Sequence, residues 1–381
     1  VRLLELKIYK LSIPYVSNPP SDWTDSWDIQ LYVKLIDGEN YGWGETLVAG
    51  SGIISAYEGV LEDLISPIIS SYPFSSPSEL EELLEKLMFT AGNCGVVTGS
   101  ISSVEMAYWD LISRSRKMSL CEILGGAFRE RIRVYASFPR FRNVDAVSLA
   151  VERSLERGFD LVKLHQPPNT VIDSVKAIRD KFGYSFKLAL DLNAPFDLKN
   201  AMEFISKVHR YEIEWVEEPI WPPNDYYSLE RLSRISPIPI AAGENEYTIH
   251  GFRRLLDSGV LILQPDIAKI GGVSKFLRVL DLAKPYNIKV YPHDRPDSSP
   301  ISLAFTLHVA ATRSEIERVE YTISEFPSDL FTNLPKFEKG EVVLPKGYGI
   351  GLDLNERYFN RYRYERKLRI LKFADLEYRM S

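Results

Sequence analysis

From Ile132 onward the chain repeats one pattern eight times, a short β-rich run followed by a stretch with helical spacing of apolar residues. The runs are IRVYAS (132–137), LVKLHQ (161–166), KLALDLN (187–193), WVEEPI (215–220), IPIAAGE (238–244), ILQPDIA (262–268), KVYPHD (289–294) and RVEYTI (318–323). Between them lie helical patterns such as AVSLAVERSLERGF, AMEFISKVHRY, GFRRLLDSGV and FLRVLDLAKPYN. Strand–helix alternation predicts a parallel sheet, because parallel neighbours need a crossover and the helix supplies it. Eight such units predict closure into a β/α barrel, which takes roughly 250 residues. The chain has 381 residues, so a smaller domain is expected beside the barrel.

The segment before the barrel reads differently. Leu3 to Ile13 alternates loosely, and Ile29 to Ile36 and Tyr41 to Glu45 flank Asp37-Gly38, a hairpin signal. Helical patterns follow at Ser55 to Ser70, Ser78 to Phe89 and Ser100 to Lys117. We therefore expect an α/β protein with an N-terminal α+β domain over 1–125, a modified (β/α) TIM barrel over 126–325 and a C-terminal segment over 326–381. Gly347, Gly349 and Gly351 lie in a β-like stretch with no helix start after them, so they read as turns and tight packing rather than a phosphate loop. The basic tail RYRYERKLRI reads as a solvated or packing surface.

Composition narrows the partners. A net charge of −6 argues against nucleic acid or an anionic membrane. No apolar run approaches the 18 or so residues of a membrane span, and Val1 to Pro20 carries no signal-peptide pattern. Two cysteines, Cys94 and Cys121, exclude a disulfide scaffold, leave one optional disulfide open, and make a cytoplasmic location the expectation.

The chemistry lies at the ends of the eight runs. Lys163, His165, Asp191, Asn193, Glu217, Glu244, Asp266, Lys269, His293 and Glu320 recur there. From His165 to Asp191 is 26 residues, from Asp191 to Glu217 is 26, and from Glu217 to Glu244 is 27. Asp266 to His293 and His293 to Glu320 are 27 each, and only Glu244 to Asp266 is shorter, at 22. One interval is one βα unit, so each residue returns at the same height on a successive strand, at the C-terminal mouth where barrel active sites sit. Three carboxylates on adjacent strands repel one another and would raise at least one pKa. A divalent cation resolves this, and an all-oxygen set of Asp191, Glu217 and Glu244 suits one Mg²⁺, or Mn²⁺ in its place, rather than structural zinc. The alternative partners are Lys163 and Lys269, in a salt-bridge network without metal.

At this point the chain resembles the enolase superfamily and, within it, the mandelate racemase subgroup. The resemblance rests on YGWGE (41–45), SVEMAYWDLISRSRKMSLCEILGG (103–126), KLH (163–165), DLN (191–193), VEEP (216–219), AGEN (242–245), QPDIAKIGG (264–272), YPH (291–293), VEY (319–321) and the C-terminal GYGIGLDL, in order and spacing over nearly the whole length. It implies that residues 1–125 form a capping domain to which the C-terminal segment returns, and that copies of the chain associate. It implies metal ligation by Asp191, Glu217 and Glu244, with Glu218 in support and Asn193 near metal water or substrate.

The implied reaction removes the α-proton of a bound carboxylate, giving an enediolate whose second negative charge the metal and nearby cations stabilise. Lys163 is placed as such a cation. Glu320 could contact the other oxygen if burial beside carboxylates keeps it protonated, with Glu325 the weaker candidate. His165 and His293 stand as bases on opposite sides, with Asp266 the partner that fixes the tautomer of His293. Each positioned acid or base contributes roughly 10²–10⁴-fold. The subgroup often has a second lysine where this chain has His165. Lys269 falls where muconate cycloisomerases use a lysine base, and beside a His–Asp pair it reads as electrostatic support. His209, His250 and His308 read as packing or surface residues.

The leading expectation is dehydration of a sugar acid to a 2-keto-3-deoxy acid. Racemisation or epimerisation of a 2-hydroxy acid is the alternative, then cycloisomerisation, then a barrel retained only for binding. Loops at Tyr15 to Trp27 and Val48 to Ile53 are expected to select the substrate, with Trp23 and Trp27 closing the site. The HDRPDSSP segment after His293 departs from the short glycine-containing loop the resemblance implies.

Overall fold

A computed structural model describes residues 3–14, 16, 19, 21, 29–48, 53–294 and 299–365. Trp23, Trp27 and most of the two loops expected to select substrate lie outside the described residues, as does half of the basic tail.

Three antiparallel strands open the chain: β1 (Glu5–Ser12), β2 (Ile29–Asp37) and β3 (Asn40–Thr46). Asp37 pairs with Asn40 across the turn, where Gly38 takes φ 62°. The helices α1 (Ile54–Gly59), α2 (Ser66–Ile69), α3 (Pro77–Met88) and α4 (Val96–Ser115) follow, then α5 (Leu120–Ile123). The single helix expected over 55–70 is interrupted by a wider turn at Val60–Ile65. Pro67, which has no N–H and crowds the preceding turn, sits just beyond it. The long helix α4 starts at Val96, four residues before the expected start. It is buried nearly all round, between sheet and barrel, so Ser100, Ser102 and Ser103 occupy interior positions that hide its periodicity. The sheet meets α4 backbone to backbone. A Cβ on Gly42 would lie 2.1 Å from the Ala107 carbonyl oxygen, and one on Gly44 only 1.8 Å from that of Ser103.

All eight expected barrel strands are present: β4 (Arg131–Ser137), β5 (Leu161–Leu164), β6 (Lys187–Asp191), β7 (Ile213–Glu217), β8 (Ile240–Ala242), β9 (Ile262–Leu263), β10 (Lys289–Val290) and β11 (Val319–Thr322). Neighbours from β4 to β10 pair in parallel. The last strand, β11, pairs with β4, and a Val290–Ile316 bridge joins the β10 side, so the sheet closes. Seven helices fill the crossovers: α6 (Val144–Glu156), α7 (Pro168–Phe182), α8 (Leu198–Val208), α9 (Tyr226–Ile235), α10 (Ile249–Asp257), α11 (Val273–Ala283) and α12 (Pro300–Thr312). Asn143, Asp197, Asp225, Thr248 and Ser299 cap five of them through their own side chains.

Four short strands end the described chain: β12 (Phe331–Thr332), β13 (Lys336–Glu338), β14 (Glu341–Val343) and β15 (Asp353–Leu354). The hairpin β13–β14 pairs with the start of β4. Asp353 then accepts Trp43 Nε1 at 2.6 Å, and the Tyr364 N–H reaches the Lys10 carbonyl, so the chain ends against the N-terminal sheet. Gly349 packs on Asp110 of α4 at φ 67°, which is the tight backbone packing expected of that glycine cluster. Cys94 and Cys121 are both free. Among the described residues no helix is long and apolar enough to cross a membrane.

Candidate active site

A ring of buried side chains, Tyr135, Leu161, Ala189, Trp215, Ala241, Ile262 and Tyr291, fills the barrel interior. Alternate residues of a strand face the same way. Two positions beyond this ring, on the same inward face, come Ser137, Lys163, Asp191, Glu217, Gln264 and His293. The apolar ring is therefore the floor of the site, and strand alternation alone places the polar layer above it.

Asp191, Glu217 and Glu244 converge. One carboxylate oxygen from each lies within 4.8 Å of the others, and all three residues are buried. Lys163 sits among them, fully buried, with Nζ 2.9 Å from Glu217 Oε1, 3.3 Å from Asp191 Oδ2 and 2.8 Å from Glu320 Oε1. Gln264 Nε2 donates to Glu217 Oε2 at 2.6 Å and Trp215 Nε1 at 3.2 Å. On one flank His165 Nε2 lies 2.8 Å from Asp191 Oδ2. On the other, His293 Nε2 lies 3.1 Å from Glu244 Oε2 while its Nδ1 meets Asp266 Oδ2 at 2.7 Å.

The electrostatics follow from crowding. Burial pushes the Glu217 carboxyl well above the ordinary range, and the Asp191 charge pushes it further. Burial also acts on Asp191, but His165 and Lys163 outweigh it and hold that group ionised. Glu218 rises to about 8, by burial first and then by the charges of Glu244 and Asp191. Burial would lower the His293 pKa, yet Glu244, the Asp266 hydrogen bond and Glu320 raise it to about 10. Lys163 remains charged, since its burial is outweighed by Glu217 and Glu320. Three mutually repelling, buried, all-oxygen donors whose oxygens lie within 4.8 Å of one another fit a hard divalent cation. A cation there would relieve the repulsion that raises Glu217, and would draw Glu244 charge away from His293.

Several expectations change in detail. Glu320 was expected to contact the second enediolate oxygen on condition that burial keeps it protonated. Burial does favour that form, but Lys163 and then His293 outweigh it and hold the carboxyl below its usual range. It also accepts from Ser137 Oγ, from the Asp294 N–H at 3.1 Å and from Tyr135 OH at 3.3 Å. Among the described residues Lys269 binds no carboxylate directly. Its Nζ donates to Asn245 Oδ1 at 3.0 Å. Asn193 is exposed, in the left-handed region at φ 52°, with its N–H on Asp191 Oδ1 at 3.0 Å. Glu325 stands apart, near Val16.

The residues that sequence reasoning left without a role are Asn245, Gln264, Tyr135, Ser137 and Asp294. Asn245 bridges three ionisable groups. Its Nδ2 donates to both Glu244 Oε1 and Glu218 Oε2 at 2.8 Å while its oxygen accepts from Lys269. The one available signal was the two-residue alternation behind Trp215, Ile262 and Tyr135.

Residues 145–358 match the sequence family described as enolase C-terminal domain-like. The chain belongs to that family. Other enolase-superfamily relatives align with most of its length. A Caldivirga maquilingensis protein named as a candidate L-rhamnonate dehydratase is 28% identical over 371 residues, 90% of this chain and 87% of that one. The D-galactonate dehydratase of Pectobacterium atrosepticum is 27% identical over 348 residues, 86% of this chain and 89% of that one. Among solved structures, the 3,6-anhydro-D-galactonate cycloisomerase of Zobellia galactanivorans superposes with a TM-score of 0.81 at 25% identity, covering 95% of this chain and 99% of that one.

Proposed function

We propose that this enolase-superfamily member dehydrates a sugar acid. In that reading the C2 proton is abstracted, the C3 hydroxyl leaves as water, and the resulting enol tautomerises to a 2-keto-3-deoxy acid. The observation that carries the reading is the buried Asp191–Glu217–Glu244 triad set between two imidazoles, one of them bonded to Asp266. Names of relatives support the class, since two of them are dehydratases of sugar acids.

Asp191, Glu217 and Glu244 would hold Mg²⁺, which supplies Lewis-acid binding of the substrate carboxylate. The chain's own groups do the rest. Lys163, buried and charged beside the triad, would stabilise the second negative charge that develops on the carboxylate, and in a dry site such a preplaced cation acts strongly. Asp266 accepts the Nδ1 proton of His293 and leaves Nε2 facing the triad to exchange protons with substrate. Held by Asp266 with Nε2 toward the triad, His293 is oriented to deliver the proton that turns the departing C3 hydroxyl into water. His165 then serves as the base, with Nε2 directed at the triad from the opposite flank.

Opposed imidazoles also favour a second reading, epimerisation of a 2-hydroxy acid by two bases. A panel of sugar acids incubated with Mg²⁺ decides between them. Dehydration yields a 2-keto-3-deoxy acid, whereas epimerisation exchanges the α-hydrogen with D₂O without forming a keto acid. If neither product nor exchange arises from any acid in the panel, the proposal fails.

A further inference from the structure

Helix α11 lacks a side-chain cap of its own. Its N-cap residue is Gly272, at φ 90°, and it offers no side chain to the free amides of the first turn. Glu105 of α4, in the other domain, supplies the acceptors instead. Fully buried, it takes the Val273 N–H at 2.7 Å on Oε2 and the Ser274 N–H at 2.8 Å on Oε1. Trp109 Nε1 steadies the carboxylate at 2.8 Å and also reaches Ser274 Oγ. Ser102 Oγ accepts the Gly271 N–H at 2.7 Å. Gly272 permits the approach, because a Cβ there would lie 2.1 Å from Glu105 Oε2. The segment so held starts at Asp266, whose Oδ1 accepts the Ala268 N–H at 2.7 Å while Thr46 Oγ1 holds the Ala268 carbonyl.

The neighbouring unit adds a contact of the same kind to a helix that Ser299 already caps. Glu45, also buried, accepts the Ser302 N–H in the first turn of α12 at 3.0 Å. Ser302 Oγ donates to Asp294, the residue after His293, and the Asp294 N–H donates to Glu320. Two carboxylates of the N-terminal domain thus hold the two barrel helices that follow Asp266 and His293. The metal-competent triad stands on β6, β7 and the loop after β8.

We propose that Glu105 and Glu45 are positioning residues for the His293–Asp266 pair, fixing its geometry by capping the two barrel helices that follow its members. This rests on the acid–base role given to that pair above. Misplacement of a reacting group by about 1 Å, caused from a distance, costs roughly 10²-fold in rate.

The test uses the full chain with Mg²⁺, labelled with ¹⁵N-histidine. The Nδ1 proton that His293 shares with Asp266 should appear as a low-field resonance, identified by its loss in His293→Asn. Glu105→Ala and Glu45→Ala should shift or broaden that resonance and lower kcat roughly 10²-fold, with KM and Mg²⁺ affinity within about threefold of wild type. Glu105→Gln, which keeps one acceptor, should fall between and covers the case in which the alanine variant does not fold. Asp110→Asn is the control. It lies on the same helix and accepts from Trp43, Ile350 and Arg114 rather than from the Asp266 segment. It should lose thermal stability with the resonance unmoved and kcat within about threefold. An unmoved resonance in both Glu105 variants overturns the proposal, as does an equal kcat loss in Asp110→Asn. The resonance is read without substrate, so it judges the positioning claim even if no sugar acid turns over and the functional reading falls.

Discussion

Substituting Gly44 by alanine tests how tightly the N-terminal sheet and α4 are bound to each other. The new Cβ would stand 1.8 Å from the Ser103 carbonyl oxygen and 2.8 Å from the Ala107 nitrogen. Both are backbone atoms of a buried helix, so no side chain can swing aside. Side-chain carbons essentially never come nearer than 3.0 Å, so α4 must withdraw from β3 by at least 1.2 Å, the difference between 3.0 and 1.8. Overpacking of a tight core costs about 1–3 kcal/mol, and a contact between two backbones belongs at the upper end. The retreat would also carry Glu105 away from Glu45, since each lies within two residues of the clash. We expect Gly44→Ala to lose about 2–3 kcal/mol in urea unfolding followed by circular dichroism. Activity should fall further than the folded fraction accounts for. A loss under about 0.5 kcal/mol, with activity intact, would refute the close-contact reasoning.

Three further outcomes follow from the site and its surroundings. His293→Asn and Asp266→Asn should each reduce kcat by roughly 10²–10⁴-fold while leaving Mg²⁺ binding measurable by calorimetry, and full activity in either variant removes that residue from the mechanism. Chelation should lower the melting temperature and Mg²⁺ restore it, by about 2.7 kcal/mol of stability at a hundred times Kd, an effect that Glu217→Gln should largely abolish. His308 is fully buried, and burial pushes its imidazole down from 6.5 to about 4. Below pH 6.5 the unfolded chain therefore gains a proton that the fold refuses, so this stability is present above pH 6.5 and is lost as pH falls toward 4. Relative to His308→Gln, the wild type should lose about 3 kcal/mol between pH 7 and pH 4, and parallel stability curves would contradict the assignment.

The barrel was legible because its signal is periodic. Each strand-to-strand step returns a chemical residue at one height, so Asp191, Glu217 and Glu244 could be grouped from spacing, while the pairing of Asp266 with His293 came from the family resemblance. What stayed hidden depends on contacts between distant segments. Nothing near Glu105 in sequence says that its carboxylate caps a helix more than 160 residues later. Glu45 sits in a motif that was quoted but given no role. The start of α4 was missed because burial on all sides erases amphipathic spacing. The charge state of Glu320 stayed open because the sequence shows its burial more readily than the 2.8 Å approach of Lys163.

The central claim is that the triad and its flanking imidazoles abstract a proton next to a carboxylate. The most direct measurement follows a sugar acid carrying deuterium at C2, incubated with the wild-type chain and Mg²⁺ in ordinary water and read by NMR and mass spectrometry. Our account predicts loss of the C2 label, a hydrogen from solvent at C3 of a 2-keto-3-deoxy product, and neither event in Glu217→Gln. A product that retains the C2 deuterium, or turnover undiminished in Glu217→Gln, would contradict it.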